Sequence, residues 1–479
     1  MTNNNPNASV SSINSPLNSS TGYDLETLAL SAPAFPGLLD LKPYMVELSY
    51  FEDMYNNTIS GKLVLSDTVG VLNFTTLNGT EFLKIKLGKS RNHQVPIERT
   101  FRIYSVSDRN FDKSLNHESY TVHFCSEDFI TSEKYRISKA YKKKSISEIV
   151  TDVLTNVMKI DSVDKKKIFI DETNGVYDFV LPNKKIFETI NWLATYALPK
   201  TREGADFLFF ENSHGYYFKS LQNLFDQDSA YIFNYDPKNT DQSNIDKKSF
   251  TVLKLELLDY FDTLKSIPSG TFGNRLISID PLRRKKYITD FNYSKYFDKG
   301  YKLNSSPVTN NYKDRLGKQS FDSAPKDLES STLRLCVSNS VEGNVDYIKN
   351  SPGSVSNDFF VEKYLPNRVA QIALANYNRL KITIPGNVNL VAGMVISLNV
   401  AGVSHMSGIL NNSNADSPKE RTTDPFLSGR YIISAMRHVI SPTTFFTILE
   451  ICKDSNAINY SGINPDDSGW KDLVKGSQK

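Results

Sequence analysis

Leu380-Lys-Ile-Thr-Ile384 alternates apolar and polar residues until Pro385-Gly386-Asn387 interrupts it. A period of two marks a strand with one dry and one wet face. The Pro-Gly-Asn triplet supplies the preset φ and the tolerance of positive φ that a turn needs. Met394-Val-Ile-Ser-Leu-Asn-Val400 reads as a second strand. Arg430-Tyr-Ile-Ile-Ser-Ala-Met-Arg-His438 and, past Ser441-Pro442, Thr443-Thr-Phe-Phe-Thr-Ile-Leu-Glu-Ile-Cys452 read as two more. Four successive strands joined largely by turns predict an antiparallel sheet or a closed barrel.

Working back along the chain, residues 249–293 carry further strand patterns: Phe250 to Leu258, then 270–280 and 286–293. With 380–453 they are expected to form one barrel, interrupted by polar excursions at 298–357 and 401–428. Asn367 to Asn378, rich in Ala and Leu and placed just after Pro366, reads as the helix that delivers the chain into this sheet. An earlier strand-rich region runs from Pro43 to Cys125, with short alternating runs punctuated by Asn56-Asn57, Asp67 and Asn78-Gly79. It predicts a first small barrel.

Between the two the period changes. Ser145-Ile-Ser-Glu148 is a capping box, and Ile146, Ile149, Val150, Val153, Leu154, Val157 and Met158 follow at helical spacing. A second helix spans 184–197. The runs 206–210 and 216–221, joined by Asn212-Ser-His-Gly215, make a hairpin with Gly in its turn. The expected fold class is therefore mainly β with an α/β module: two antiparallel β-barrel domains plus an α+β domain. The expected divisions are a flexible N-terminal arm at 1–40, a first barrel at 41–128, the α/β domain and linker at 129–248, a second barrel at 249–455 and a tail at 456–479.

Composition limits the chemistry. At 479 residues the chain can bury several cores, and a net charge of +3 argues for neither nucleic acid nor membrane. Cys125, Cys336 and Cys452 lie far apart in apolar runs, which predicts buried free thiols in a reducing compartment. No run of about 18 apolar residues occurs, and no secretory signal pattern opens the chain. His117 and His123 are too far apart along one strand to share a metal at about 2 Å. His438 lacks a local His or carboxylate partner. Glu52-Asp53 and Asp171-Glu172 are adjacent and point to opposite sides in extended chain, so neither pair does acid–base work. Lys142-Lys143-Lys144 and Arg283 to Lys286 read as solvated charge runs. No catalytic residue, cofactor site or metal site is assigned.

Several stretches carry a family resemblance: Ser428-Gly-Arg-Tyr-Ile-Ile-Ser-Ala-Met-Arg-His438, the Ile384-Pro-Gly-Asn387 turn, "SGKLVLSDTVGVLNF" with "NGTEFLKIKL", and "SGTFGNRLISIDPLRRKKYITDFNY". Their order resembles the central baseplate hub of contractile, T-even-like phage tails over roughly 41–225 and 249–455. The resemblance implies a structural virion protein with no enzymatic activity. Three copies would form a ring, two similar barrels per copy giving pseudo-sixfold symmetry. That homotrimer would adapt the tail tube above to a trimeric central spike below, among wedge or peripheral hub proteins, and would assemble in the host cytoplasm. The genome would pass through its lumen without sequence-specific binding. Within this frame Lys381, Thr383 and Ser434 are the candidates for an outer face that lines the lumen or meets a neighbour. Two other classes are alternatives: a tail-associated cell-wall hydrolase, or the hub part of a secretion-system spike. A tail-associated cell-wall hydrolase would need a catalytic signature that the sequence lacks, and a secretion-system spike would need a C-terminal repeat.

Overall fold

The computed structural model describes residues 13–14, 23–33, 37–75, 77–88, 97–112, 117–160, 167–200, 204–236, 250–280, 284–297, 302–308, 332–337, 361–402, 424 and 426–457. Its largest feature is a fourteen-stranded sheet that curls into two barrels. In the first, six strands follow the order Asp24–Ser31, Phe82–Gly88, Ile97–Asp112, His117–Ser126, Ser60–Asp67 and Met45–Asp53, each antiparallel to the next. Burial alternates strictly along Ser60–Asp67, as its sequence period requires. The 3-10 turn Lys42–Tyr44 draws the open side together. Leu41 N donates to Leu28 O at 2.8 Å, and Lys42 Nζ donates to Glu26 O at 3.1 Å. Gly61 is needed for close approach, because a Cβ there would stand 2.1 Å from the Phe124 ring.

Residues 24–31 correct the expectation of a flexible arm at 1–40. They form a paired strand with Tyr23, Leu25, Leu28 and Leu30 buried. Burial of these side chains against 82–88 offsets the ordering entropy that the segment could not meet alone.

The second barrel follows the order Lys254–Asp259, Asn378–Pro385, Phe445–Lys453, Gly429–Ile440, Val395–Val400 and Ile232–Tyr235. It closes where Asn234 N donates to Phe250 O at 3.0 Å and Val252 N to Asn234 O at 2.9 Å. Residues 232–235, expected within a linker, thus complete the barrel, with Phe233 fully buried in its core.

Residues 273–292 were expected in this barrel and lie outside it. Gly273–Asp280 pairs with Lys285–Asn292 and Thr332–Val337 in a separate three-stranded sheet. The helical turn Thr263–Ser269 diverts the chain. Its Asp262 cap accepts Lys265 N at 2.9 Å, and Gly270 ends it at φ 75°. Phe272, Phe291 and Tyr293 then pack on Ala370 and Leu374 of helix Val361–Ala375. That helix begins before Pro366 rather than after it.

The α+β module packs its own core from Ile137 to Phe218. The capping box is present: Ser145 Oγ accepts Glu148 N at 3.3 Å, and Glu148 Oε2 accepts Ser145 N at 2.9 Å. Helix Ile146–Asp152 relaxes into a π turn at Val153–Val157, which rotates Val157 out of the expected apolar stripe to 39 % exposure. The hairpin Phe207–Asn212 and Gly215–Ser220 forms as predicted. Cys125 and Cys452 are buried free thiols.

Most of the 298–357 and 401–428 excursions, His93, His405, Arg283 and the residues after 457 lie outside the described residues. Within the first excursion, 302–308 runs against the end of the last strand, and Ser306 and Asn456 exchange backbone hydrogen bonds at 2.9 and 2.7 Å.

Candidate functional site: the seam between the barrels

The two barrels are one sheet. Met45–Asp53 pairs with Gly429–Ile440 through six antiparallel residue pairs, from Asp53 opposite Ala435 to Leu48 opposite Ile440. Their cores merge as well, so that Leu48 and Tyr50 share one apolar cluster with Ile440, Phe445 and Leu449.

Lys381 and Thr383 lie on the half-buried outer face of Asn378–Pro385, whose alternate residues Leu380, Ile382 and Ile384 are buried. Lys381 stands opposite Glu256 and Glu450 in register, with Nζ 3.2 Å from Glu256 Oε2. Ser434 does not share that face. The pairing shifts between Ile433 and Ala435, and Ser434 is 4 % exposed and donates to Glu450 O at 3.1 Å. One irregular residue breaks the period of two, and simple alternation misplaces it.

The seam holds His438 at its centre. Its ring stacks on Tyr50 at 5.8 Å and meets Phe445 edge-on at 5.3 Å. Nδ1 bonds Thr447 Oγ1 at 2.9 Å, Nε2 has no hydrogen-bond partner, and burial pushes the imidazole down to about 3. Such a ring is a neutral packing element.

At one end of the seam a buried carboxylate gathers three parts of the chain. Glu52, 1 % exposed, accepts Ser213 N at 2.7 Å and the Tyr50 hydroxyl at 2.9 Å through Oε1. Its Oε2 accepts Ala392 N at 3.0 Å. Ser213 belongs to the module's hairpin turn, and Ala392 to the loop that joins Asn378–Pro385 to Val395–Val400 within the second barrel. Burial raises the Glu52 carboxyl to about 7, against these hydrogen bonds, which lower it. Beside it Glu211 Oε2 accepts Ile59 N at 3.2 Å and the Ser126 hydroxyl at 2.6 Å. Asn212 Nδ2 donates to Ala392 O at 3.0 Å, and Arg99 Nη2 to Ser213 O at 2.7 Å. Gly393, at φ 86°, leaves room for the Phe210 ring 2.8 Å from where a Cβ would stand. Sequence reading discounted Glu52 as a partner of Asp53. Only the fold reveals that its two backbone partners lie 161 and 340 residues away.

One hydroxyl–imidazole contact lies on the first barrel's outside. Ser107 Oγ donates to Asp108 Oδ2 at 2.9 Å and lies 2.8 Å from His123 Nε2. With its proton on Asp108, the hydroxyl accepts from the imidazole, the reverse of what an activated nucleophile requires. Among the described residues no group of three or more His, Cys, Asp or Glu could hold a metal.

Two six-stranded barrels are fused edge to edge, and the α+β module is anchored at their seam. No family model matches the chain. Over 423 residues it is 23 % identical to a protein described as "probable baseplate hub protein" of Vibrio phage KVP40, a match covering 86 % of this chain and 90 % of that one. The resemblance to baseplate hub proteins carried by the sequence is borne out by that relative. Among solved structures the chain is similar to the 43 kDa tail protein of prophage MuSo2 from Shewanella oneidensis, with 8 % identity and a TM-score of 0.49, covering 90 % of this chain and 98 % of that one. It is also similar to a tail protein of Neisseria meningitidis MC58, with 9 % identity and a TM-score of 0.48, covering 89 % and 97 %.

Proposed function

We propose that the chain is the structural hub of a contractile tail baseplate, with three copies closing into a ring. The observation that carries this reading is the duplication of barrels within one chain: two six-stranded barrels in one sheet give each copy two comparable surfaces. Three such chains offer six positions to a hexameric tube while keeping threefold symmetry toward a spike. Head-to-tail contacts that close cyclically limit growth at three. The curated relative's description as a hub protein supports the assignment. In this role the ring adapts tail tube to central spike within the virion's baseplate, and the genome passes through its lumen without sequence-specific contacts. The role is mechanical, not enzymatic.

Light scattering and projection images of the purified chain, alone and with its tube and spike proteins, test the assembly. A threefold ring is expected. A strict monomer with both partners present, or a twofold dimer, overturns the reading. A peptidoglycan zymogram tests the second point: clearing by this chain alone, lost on one carboxylate-to-alanine change, would make it a hydrolase instead.

A further inference from the structure

We propose that the tip of hairpin 207–220 is a wedge that sets the angle between the two barrels, with Glu52 and Glu211 as its positioning residues. The tip reaches all three parts at once. Through Glu211 it binds the first barrel at Ile59 and Ser126, through Ser213 it meets Glu52 and Arg99, and through Asn212 and Phe210 it grips Ala392 and Gly393 of the second barrel's loop before Val395–Val400. That loop is tied to the seam strand in turn, since Gly393 N donates to Ile433 O at 2.8 Å and Ile433 N to Met394 O at 2.9 Å.

The wedge sits at one end of the seam. Glu52 stands opposite Met436 in register, and Met54 N donates to Ser434 O at 2.9 Å. The far end is fastened differently. There the Tyr23 hydroxyl donates to Ser441 O at 2.6 Å, and its ring meets Phe445 edge-on at 6.2 Å. A ladder of six pairs can twist and splay. Clamped at Tyr23 and wedged at Glu52, it holds one angle. A displacement of the α+β module therefore moves the hairpin tip and changes how the barrels face each other. Buried carboxylates suit the task. They accept backbone N–H groups from separate segments at fixed geometry, and leaving those donors unpaired is costly.

Hydrogen–deuterium exchange on the full chain tests this, comparing wild type with Glu52→Ala, Glu52→Gln and Asn212→Ala. In Glu52→Ala the seam amides at 48–53 and 435–440 are expected to exchange at least tenfold faster, most strongly at the Glu52 end. Helix 186–196 and residues 441–445 beside Tyr23 keep their protection. Glu52→Gln, which keeps one acceptor oxygen, falls between. Asn212→Ala shows the same pattern more weakly, and carries the test should Glu52→Ala not fold. Faster exchange confined to 212–215 and 391–394 overturns the proposal, since the contacts would then be local. Uniform acceleration across all elements overturns it too, as plain destabilisation.

Discussion

The barrels join each other and join the α+β module by different means. Between the barrels the bond is backbone: a six-pair ladder continued by one shared apolar core. Between barrels and module it is side chain: Phe210 and Leu224 pack on Met54, Val395 and Ile432, and Glu52, Glu211, Asn212 and Arg99 reach backbone groups of distant segments. A backbone ladder survives most substitutions, because every residue but proline supplies the same donor and acceptor. A buried carboxylate junction does not, because one substitution strands several donors together. The seam should therefore tolerate change, while the module and its attachment should not.

The largest effect is expected inside the module. Val153 is fully buried in its core. Val153→Asp places an unpaired charge there, at a cost of several kcal/mol out of a typical domain's ~5–15 kcal/mol. Trp192 packs edge-on to Phe179 at 5.1 Å and reports on the same core. Its fluorescence should shift to the unfolded position at temperatures where wild type is native. An unchanged melt would show that the helical stripe is not core.

Next comes the junction. Glu52→Ala strands Ser213 N and Ala392 N and removes the partner of the Tyr50 hydroxyl. At about 1–3 kcal/mol for each buried unsatisfied group, a loss near 3 kcal/mol is expected in urea unfolding. A loss below ~1 kcal/mol would place the module's attachment elsewhere.

The pH dependence separates the two regions more finely. Glu52 is raised from its ordinary 4.5 to about 7. Its contribution is thus fully present below 4.5 and is lost as pH rises through about 7, by roughly 3 kcal/mol at most. Asp206, raised to about 6 by burial, acts in the same direction. His438 in the seam is lowered from 6.5 to about 3. Its contribution is present above 6.5 and is lost as pH falls toward 3, by roughly 5 kcal/mol at most. The Glu52 and His438 slopes cancel between 4.5 and 6.5, so Asp206 leaves stability falling as pH rises from 4.5 to about 6, and below 3.8 the His438 loss stands unopposed as acid unfolding. Glu52→Gln should flatten the alkaline side, and His438→Gln the acid side. Melts across pH check both, and an acid limb unchanged in His438→Gln would remove the seam imidazole from the account.

What the sequence made legible follows the same division. Strands such as Ser60–Asp67 and Asn378–Pro385 announce themselves because alternation is local, and the Ser145–Glu148 box is local too. Residues 24–31 were misjudged because polar neighbours masked a strand whose burial depends on 82–88. Ser434 was misplaced because a register shift leaves no trace in composition. The junction was invisible for a deeper reason. The distant partners of Glu52 are backbone N–H groups, which every residue but proline carries, so no motif could mark them.

The smallest effect tests the tolerance of the seam itself. On its outer side Arg437 reaches across the ladder from one barrel to the other. Its Nη2 lies 2.7 Å from Glu47 Oε1 and 2.9 Å from Ser49 Oγ, and its guanidinium sits 5.5 Å from the Phe51 ring centre. The bridge joins one barrel to the other through side chains alone. Its charged groups remain about a third exposed, so water and salt screen them, and ordering two long side chains offsets part of the attraction. Arg437→Ala is therefore expected to cost about 1 kcal/mol or less, shrinking further in high salt, with the barrels still fused. Urea unfolding at low and high ionic strength reads this directly. A loss above ~3 kcal/mol, insensitive to salt, would mean that the seam also rests on single side chains, and the contrast with the module would fail.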